Sequence, residues 1–281
     1  FYKDSKRTFH SIEEKIYIKG KSRPHVENVK YSIHGPIISK VLEKKSRCLS
    51  LCSKSLNVLK VSDGILNMNL ALDYDSFSKA VDSINGPQLN IIYSDTKGNI
   101  GLFITGEVPI RLKGDGQLPA DGSTGEFDWD GIIPVDQMPR LLNPEKGYII
   151  SCNNKIIDNN YPYFLGNSFM NGYRASRIDS IFASSSKISI EMSKKLHLDI
   201  FSIPAEKFVK GMIKGFRTAK PNAQFIIDKL LDWDFNLDKC SKEATIYQVL
   251  MYTIIRKLVE EDLGEELTDE FMGVGKHPLL L

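Results

Sequence analysis

The spacing of apolar residues changes from strand-like to helix-like along the chain, and this order restricts the fold more than any other feature. Short segments between residues 9 and 51, such as EEKIYIKGK, ENVKYSI and CLSLC, alternate apolar and polar residues with the period expected of antiparallel strands. From residue 173 onward apolar residues recur at helical spacing, most clearly in residues 242–263. Because strands precede helices, the sequence predicts an α+β fold with a mainly antiparallel sheet.

The same patterning predicts two parts of different character. Residues 1–172 are predicted to form a sheet-rich part, and residues 173–281 a helical region. Within the first part, residues 64–84 interrupt the strands with apolar positions at helical spacing. They predict two short helices, the second of which Asp73 or Asp75 would cap.

Three later segments of the sheet-rich part carry further predictions. Residues 89–111 predict a hairpin around DTKGN, because glycine and asparagine tolerate the positive φ of a tight turn. Residues 112–147 are rich in glycine, proline and aspartate and predict a long loop without regular structure. Residues 147–152, GYIISC, predict an apolar strand that ends at the adjacent Asn153 and Asn154.

The charge balance and the hydropathy exclude two classes of partner. The chain has 37 lysine and arginine residues against 35 acidic residues, and its net charge of +2 is too small to indicate a nucleic-acid surface. No run of about 18 apolar residues predicts a membrane-spanning helix. We therefore expect neither nucleic acid nor a membrane as partner. The opening FYKDSKRTFH lacks a signal-peptide pattern and does not begin with Met, which indicates a processed chain or an excised fragment.

Cysteine and histidine positions do not predict a metal site or a catalytic thiol. Cys48 and Cys52 are separated by three residues without nearby histidine, so buried apolar thiols are the favoured interpretation. Cys152 also has no histidine close in sequence, which favours packing over a nucleophilic role. The histidines are scattered and form no motif with serine, aspartate or cysteine: His10, His25, His34, His197 and His277.

The asparagine pair after GYIISC is the strongest candidate for chemistry in the residues themselves. A side-chain amide held at the end of a strand can donate a hydrogen bond to an oxygen that gains negative charge during a reaction. The alternative is that Asn153 only closes a β-turn with Asn154. From the residues alone, the turn is the favoured interpretation.

Three segments in succession add a family resemblance. They are YSDTKGNIGLFITGEVPIR, LPADGSTGEFDWDGIIPVDQMPRLLNPEKGYIISCNNKI and YPYFLGNSFMNGYRASRI. In order and spacing they resemble the central part of the β-subunit of penicillin acylases, or penicillin amidases, and of the related acyl-homoserine-lactone acylases. These are N-terminal nucleophile hydrolases. The resemblance implies a four-layered αββα sandwich and hydrolysis of the amide bond of N-acylated amines, carried out by a serine that self-cleavage exposes and whose α-amine is the general base.

The resemblance also implies roles for three residues. Asn153 matches the asparagine of the oxyanion hole, and Arg174 in GYRASRI matches the arginine that orients this asparagine and the nucleophile. Leu89 stands where the family has an apolar residue lining the acyl pocket. The corresponding structural interpretations are a surface position for Arg174 and core packing for Leu89.

The chain departs from the family in lacking the nucleophile. No serine, threonine or cysteine stands at position 1, so we expect the α-subunit and the remainder of the β-subunit to be missing partners. This fragment alone is expected to be inactive. The substrate of the complete protein would be an N-acylated small molecule with an apolar acyl group. The alternatives are an acyl-homoserine-lactone acylase, or an inactive homologue that acts as a binding or scaffold protein.

Calcium is the one metal that the resemblance raises. Penicillin acylases hold structural calcium partly through an acid shortly after a YP dipeptide, but YPYFLGNS contains no acid there. Asp158, just before the dipeptide, would substitute only with a shifted loop. We therefore assign no metal ligand and expect no required cofactor, and a structural calcium ion stays open only for the complete enzyme. The resemblance alone suggests secretion or a periplasmic location, and the sequence leaves the compartment unknown.

Overall fold

The computed structural model describes residues 1–41, 48–57 and 61–273, and the chain divides into two compact units, Phe1–Met170 and Asn171–Leu281. Each unit has its own elements and its own core. In the first unit the helices are α1 (Val61–Leu70) and α2 (Tyr74–Asp82). The strands of this unit are β1 (His10–Ile16), β2 (His25–Ser32), β3 (Gly35–Pro36), β4 (Asn90–Ser94), β5 (Ile100–Ile104), β6 (Pro109–Arg111), β7 (Trp129–Ile132) and β8 (Arg140–Leu142).

The first sheet has the antiparallel order β1-β2-β3, as the alternating pattern predicts. The prediction of a further strand at CLSLC was wrong, because this segment forms only an isolated bridge between Ser50 and Ile37. The hydroxyl of Ser39 accepts the Leu49 N–H at 2.6 Å, so a side chain takes the donor that a longer ladder would need. The segment therefore stays a single bridge.

The buried-thiol interpretation of the cysteine pair was also wrong. Cys48 and Cys52 are both exposed, while Cys152 is buried as predicted. The reason lies in the same short pairing: a segment held by one bridge presents no covered face, and Leu51 beside Cys52 is itself 41% exposed.

The second sheet, β4-β5-β8, is built on the predicted hairpin, which the structure confirms. Its turn is closed by Asp95, whose carboxylate accepts hydrogen bonds from the backbone N–H groups of Lys97 and Asn99, both at 2.9 Å. Gly98 takes φ +90°, which a side chain would oppose. The turn thus combines glycine freedom with a carboxylate that satisfies two backbone donors.

The helix α2 covers this sheet, and its start follows the predicted cap at Asp73. The Asp73 carboxylate accepts the Ser76 N–H at 2.8 Å, while the Ser76 hydroxyl accepts the Asp73 N–H at 3.2 Å, which forms a capping box. Val81 of the helix then packs with Tyr93 and Phe103 of the sheet in a buried core. The cap fixes where the helix begins, and the core fixes which face it buries.

The prediction of a structureless loop over residues 112–147 was wrong in its second half. Residues 129–132 form β7, which pairs with β6, and residues 140–142 form β8, which pairs with β5. Burial of apolar residues stabilises this part of the segment, because Ile133 and Met138 pack against Val108 in a buried cluster.

The predicted strand GYIISC is also absent, since residues 148–152 pair with no strand in the part of the chain that the structure describes. The sheet ends before it at Asn143, which has φ +46° and whose Oδ1 accepts the Ile100 N–H at 2.9 Å. Gly147 follows with φ +73°. Two left-handed residues turn the chain out of the ladder before the apolar segment begins.

The second unit is helical, in agreement with the pattern of apolar residues. Its core joins Leu230, Trp233 and Tyr247 with Val209 and Phe235, all less than 10% exposed. A π-helical turn over Val209–Ile213 continues α5, and Gly264, at φ +73°, interrupts the last helix. The helices are α3 (Tyr173–Ala183), α4 (Ile190–His197), α5 (Ile203–Phe208), α6 (Pro221–Leu231) and α7 (Lys242–Met272).

The turn carboxylate of Asp95 gives this fold a pH dependence. Hydrogen bonds from the Asn99 side chain first, and from neighbouring donors, lower the pKa of Asp95 from 3.8 to about 2. The folded pKa is therefore below the unfolded value of about 3.9, so the ionised group stabilises the hairpin above about pH 4 and this stabilisation is lost as pH falls towards 2. We expect Asp95→Asn to lower the Tm at pH 6, with a difference from the unmutated protein that shrinks towards pH 2. Scanning fluorimetry across this range tests it; an undiminished difference at low pH contradicts it.

Candidate functional site

The turn at residues 152–154 presents Asn153 to solvent. Cys152 is buried and its N–H donates to the Asn154 Oδ1 at 3.0 Å. Asn153 itself is exposed and has φ +60°, a conformation that asparagine tolerates better than most residues. Its carbonyl accepts the Met170 N–H at 2.8 Å. The side chain that closes the turn is therefore that of Asn154, and Asn153 is anchored through its backbone.

Leu89 lies immediately before β4, and its backbone is held on both sides by Thr105. Its N–H donates to the Thr105 hydroxyl oxygen at 2.9 Å, and its carbonyl accepts the Thr105 N–H at 3.0 Å. Thr105 is 1% exposed, and its hydroxyl donates in turn to the Pro87 carbonyl at 2.7 Å. The side chain of Leu89 is 46% exposed, so it is a partly open apolar group on a fixed backbone.

A side-chain hydrogen bond links the segment of Leu89 to the segment of Asn153. The side-chain amide of Asn90, the first residue of β4, donates to the Ser151 hydroxyl oxygen at 2.7 Å. Asn90 follows Leu89 directly, and Ser151 precedes Asn153 by two residues. Two of the predicted site residues are thus brought onto neighbouring segments of the first unit. No local pattern predicts this bond, because its two residues are 61 positions apart.

Arg174 belongs to the second unit, where it is exposed in the first turn of α3. Arg177 in the next turn has a structural role: its guanidinium donates to the Asp199 carboxylate at 2.7 and 3.0 Å and lies 4.4 Å from the centre of the Phe201 ring. The bond to Asp199 raises the pKa of Arg177. Of the two arginines in YRASR, Arg177 therefore braces its own unit.

A hydrogen-bonded cluster around Asp128 was not predicted from the sequence. The Tyr2 hydroxyl donates to its carboxylate at 2.5 Å, and the His34 Nε2 lies 2.9 Å from the other oxygen. These bonds, the one from Tyr2 first, lower the pKa of Asp128. The three residues are far apart in sequence, so no local spacing could reveal them. The cluster fastens the start of the chain and the β2–β3 turn to the loop before β7.

The first unit also contains a cavity of about 320 Å³ between the end of α2 and the end of β5. Its polar wall includes Arg140, whose guanidinium pairs with Asp82 and donates to Ser78 at 2.9 Å. Leu89 and Asn153 are not among its lining residues. This cavity is therefore separate from the segments that the predicted site residues occupy.

The described residues show no cluster of metal-binding side chains, and the acid nearest the YP dipeptide bonds locally. No group of three or more histidine, cysteine, aspartate or glutamate side chains among them is arranged to hold a metal ion. Asp158 accepts the Asn160 N–H at 2.8 Å, and Tyr163, next after the YP dipeptide, donates to the Gln137 side chain. Within residues 1–41, 48–57 and 61–273, no helix combines the length and the apolar character that a membrane span requires.

Comparison of the sequence with known proteins gives consistent matches. A family model described as penicillin amidase matches residues 1–278. The acyl-homoserine lactone acylase QuiP of Pseudomonas fluorescens is 28% identical over 276 residues, which are 92% of this chain and 34% of that protein. Penicillin G acylase of Escherichia coli is 30% identical over 158 residues, which are 52% of this chain and 18% of that protein. The chain thus spans about a third or less of the length of these relatives.

Comparison of the structure agrees with that of the sequence. A thermostable penicillin G acylase from Alcaligenes faecalis superimposes with a TM-score of 0.71 at 20% identity, over 97% of this chain and half of that chain. This likeness shows the fold. The predicted fold class, α+β with antiparallel sheets followed by helices, is confirmed, and its fold matches that of the penicillin G acylase.

Proposed function

Because the chain belongs to the penicillin amidase family, we propose that the protein that carries it is an amidohydrolase cleaving the amide bond of N-acylated amines. The observation that carries this proposal is the turn at residues 152–154, which leaves the Asn153 side chain at the surface while Asn154 closes the turn. The chain spans about a third of the length of a relative such as the QuiP acylase, so the activity is proposed for the full-length protein.

In this proposal Asn153 stabilises the tetrahedral intermediate. When a nucleophile attacks the acyl carbon, the carbonyl oxygen becomes negatively charged, and a prepositioned amide N–H lowers the energy of that state. One such donor contributes about 2.7 to 4 kcal/mol to the transition state. The positive φ of Asn153 and the bond of its carbonyl to the Met170 N–H hold the backbone from which this amide projects.

The other proposed roles are supporting ones. Leu89 would contact the apolar acyl group, which its half-open side chain on a fixed backbone suits. Arg174 would orient the asparagine and the nucleophile. We propose that the nucleophile is a serine at a chain terminus made by cleavage, supplied together with the α-subunit and the rest of the β-subunit by residues outside this chain. The proposed reaction requires no cofactor.

The test is hydrolysis of N-acyl amides by the purified full-length protein. We expect release of free amine and carboxylate from phenylacetyl and long-chain acyl p-nitroanilides, and from an acyl-homoserine lactone with its ring intact. The ratio of kcat/KM for the two acyl types assigns the preference between the penicillin acylase and acyl-homoserine-lactone acylase activities named for the relatives. Failure to hydrolyse any acyl amide would support the inactive-homologue alternative instead.

A further inference from the structure

We propose that Asn90 is a positioning residue that sets the place of the Asn153 amide relative to the acyl-binding side chain of Leu89. The inference rests on the proposed function, because it assigns a role to a residue that acts through Asn153. Its basis is the 2.7 Å hydrogen bond from the Asn90 Nδ2 to the Ser151 hydroxyl oxygen. This bond connects the segment that contains Leu89 with the segment that contains Asn153.

The Asn90 end of the bond is rigid. Asn90 is paired with Ile104 in the β4–β5 ladder, and the preceding Leu89 is held by two bonds to the buried Thr105. Thr105 is itself tied to the Pro87 carbonyl. The backbone of Asn90 is therefore held in place, and its side-chain amide projects from a fixed point.

The Ser151 end of the bond has no such ladder. Residues 148–152 form no strand, so backbone hydrogen bonds of a sheet do not fix the position or the direction of this segment. Between Ser151 and Asn153 stands only the buried Cys152, whose N–H is held by Asn154. A short segment that is anchored at Cys152 and braced at Ser151 cannot rotate freely, and this restricts the direction in which the Asn153 side chain projects.

The consequence is a fixed distance between two chemical functions. An oxyanion donor is effective only where the oxygen develops charge, and errors of about 1 Å reduce rates by up to about 100-fold. The Asn90–Ser151 bond holds the segment of Asn153 at a set position relative to β4, which directly follows Leu89. When Leu89 contacts the acyl group of a substrate, the carbonyl oxygen of that substrate would then lie within hydrogen-bonding distance of the Asn153 amide.

The experiment compares Asn90→Ala, Ser151→Ala and the double variant in the full-length protein, using a chromogenic acyl anilide. We expect each single variant to lower kcat about tenfold with KM changed less than about twofold, and the double variant to be no worse than either single one. Ser151→Thr retains the hydroxyl and should keep most of the activity. Because Ser151→Ala removes the acceptor alone, it tests the bond even if Asn90→Ala fails to fold.

The deciding measurement repeats Asn90→Ala in an Asn153→Gly background. If Asn90 acts through Asn153, its replacement should then change kcat at most about twofold. The same tenfold loss in both backgrounds would show a structural effect and overturn the inference. The matched control is Gln88→Ala, since the Gln88 amide donates at 2.9 Å to the Glu107 carbonyl within the same hairpin, and its loss should leave kcat unchanged.

The two ideas fail differently in this design. If Asn153→Gly alone leaves kcat unchanged, the oxyanion role and the inference fall together. If Asn153→Gly lowers kcat while Asn90→Ala and Ser151→Ala do not, the proposed function stands and the positioning role of Asn90 is refuted.

Discussion

Replacing Asn153 in the full-length protein is expected to lower kcat by about 100- to 1,000-fold while KM changes little. The amide is proposed to bond an oxygen whose charge appears only in the transition state, so its removal leaves the binding of the ground state nearly intact. The measurement is steady-state hydrolysis of a chromogenic acyl anilide, with folding checked by circular dichroism.

The backbone at this position makes the choice of variant important. Asn153 has φ +60°, and alanine at such a position adds strain of about 1 to 2 kcal/mol that has nothing to do with the amide. Glycine accepts this φ without strain, so Asn153→Gly removes the donor and spares the backbone. Equal losses of kcat in the alanine and glycine variants would assign the effect to the missing amide.

The matched control for this experiment is Asn159→Ala. Asn159 is an exposed asparagine six residues further on, whose Oδ1 accepts a hydrogen bond from Lys155 at 3.0 Å. Its replacement should leave kcat unchanged. If Asn153→Gly retained full turnover while Asn153→Ala lost it, backbone strain would explain the loss and the oxyanion role would be rejected.

Local patterning was sufficient where the physical cause was local. The turn of the β4–β5 hairpin depends on residues within DTKGN. The Asp95 carboxylate accepts a backbone N–H of the turn, and Gly98 adopts the positive φ that the turn requires. The cap of α2 likewise depends only on the four residues from Asp73 to Ser76. Such elements depend on neighbours in sequence, and these neighbours were visible.

Prediction failed where a distant partner decided the outcome. GYIISC has the composition of a strand, but Asn143 ends the sheet by bonding to Ile100, more than 40 residues away. CLSLC stopped at one bridge because of the Ser39 hydroxyl. The candidate site divides in the same way: family motifs pointed to Asn153, whereas the bond from Asn90 that braces its segment follows only from the folded chain.

Phe103→Ala is expected to have the largest effect on stability, a loss of about 3 to 5 kcal/mol in the free energy of unfolding. Phe103 is 1% exposed in the centre of β5 and packs against Val81 and Tyr93. Its ring centre lies 5.5 Å from that of Tyr74 and 5.7 Å from that of Phe77, so truncation leaves a cavity walled by aromatic rings that cannot all collapse into it. Urea unfolding followed by tryptophan fluorescence measures this loss.

The position of Phe103 in the sheet allows a sharper test than the size of the loss alone. Leu72→Ala, at a side chain that is 96% exposed, should change stability by less than about 0.5 kcal/mol, and Phe103→Leu should recover part of the loss by refilling the cavity. Equal losses for the alanine variants at residues 72 and 103 would mean that burial under α2 does not hold this sheet together. Because Asn90 pairs with Ile104 of β5 and Leu89 bonds to the adjacent Thr105, the kcat of the folded fraction should fall in Phe103→Ala and recover in Phe103→Leu. Stability of the sheet and placement of the oxyanion donor would then share one cause.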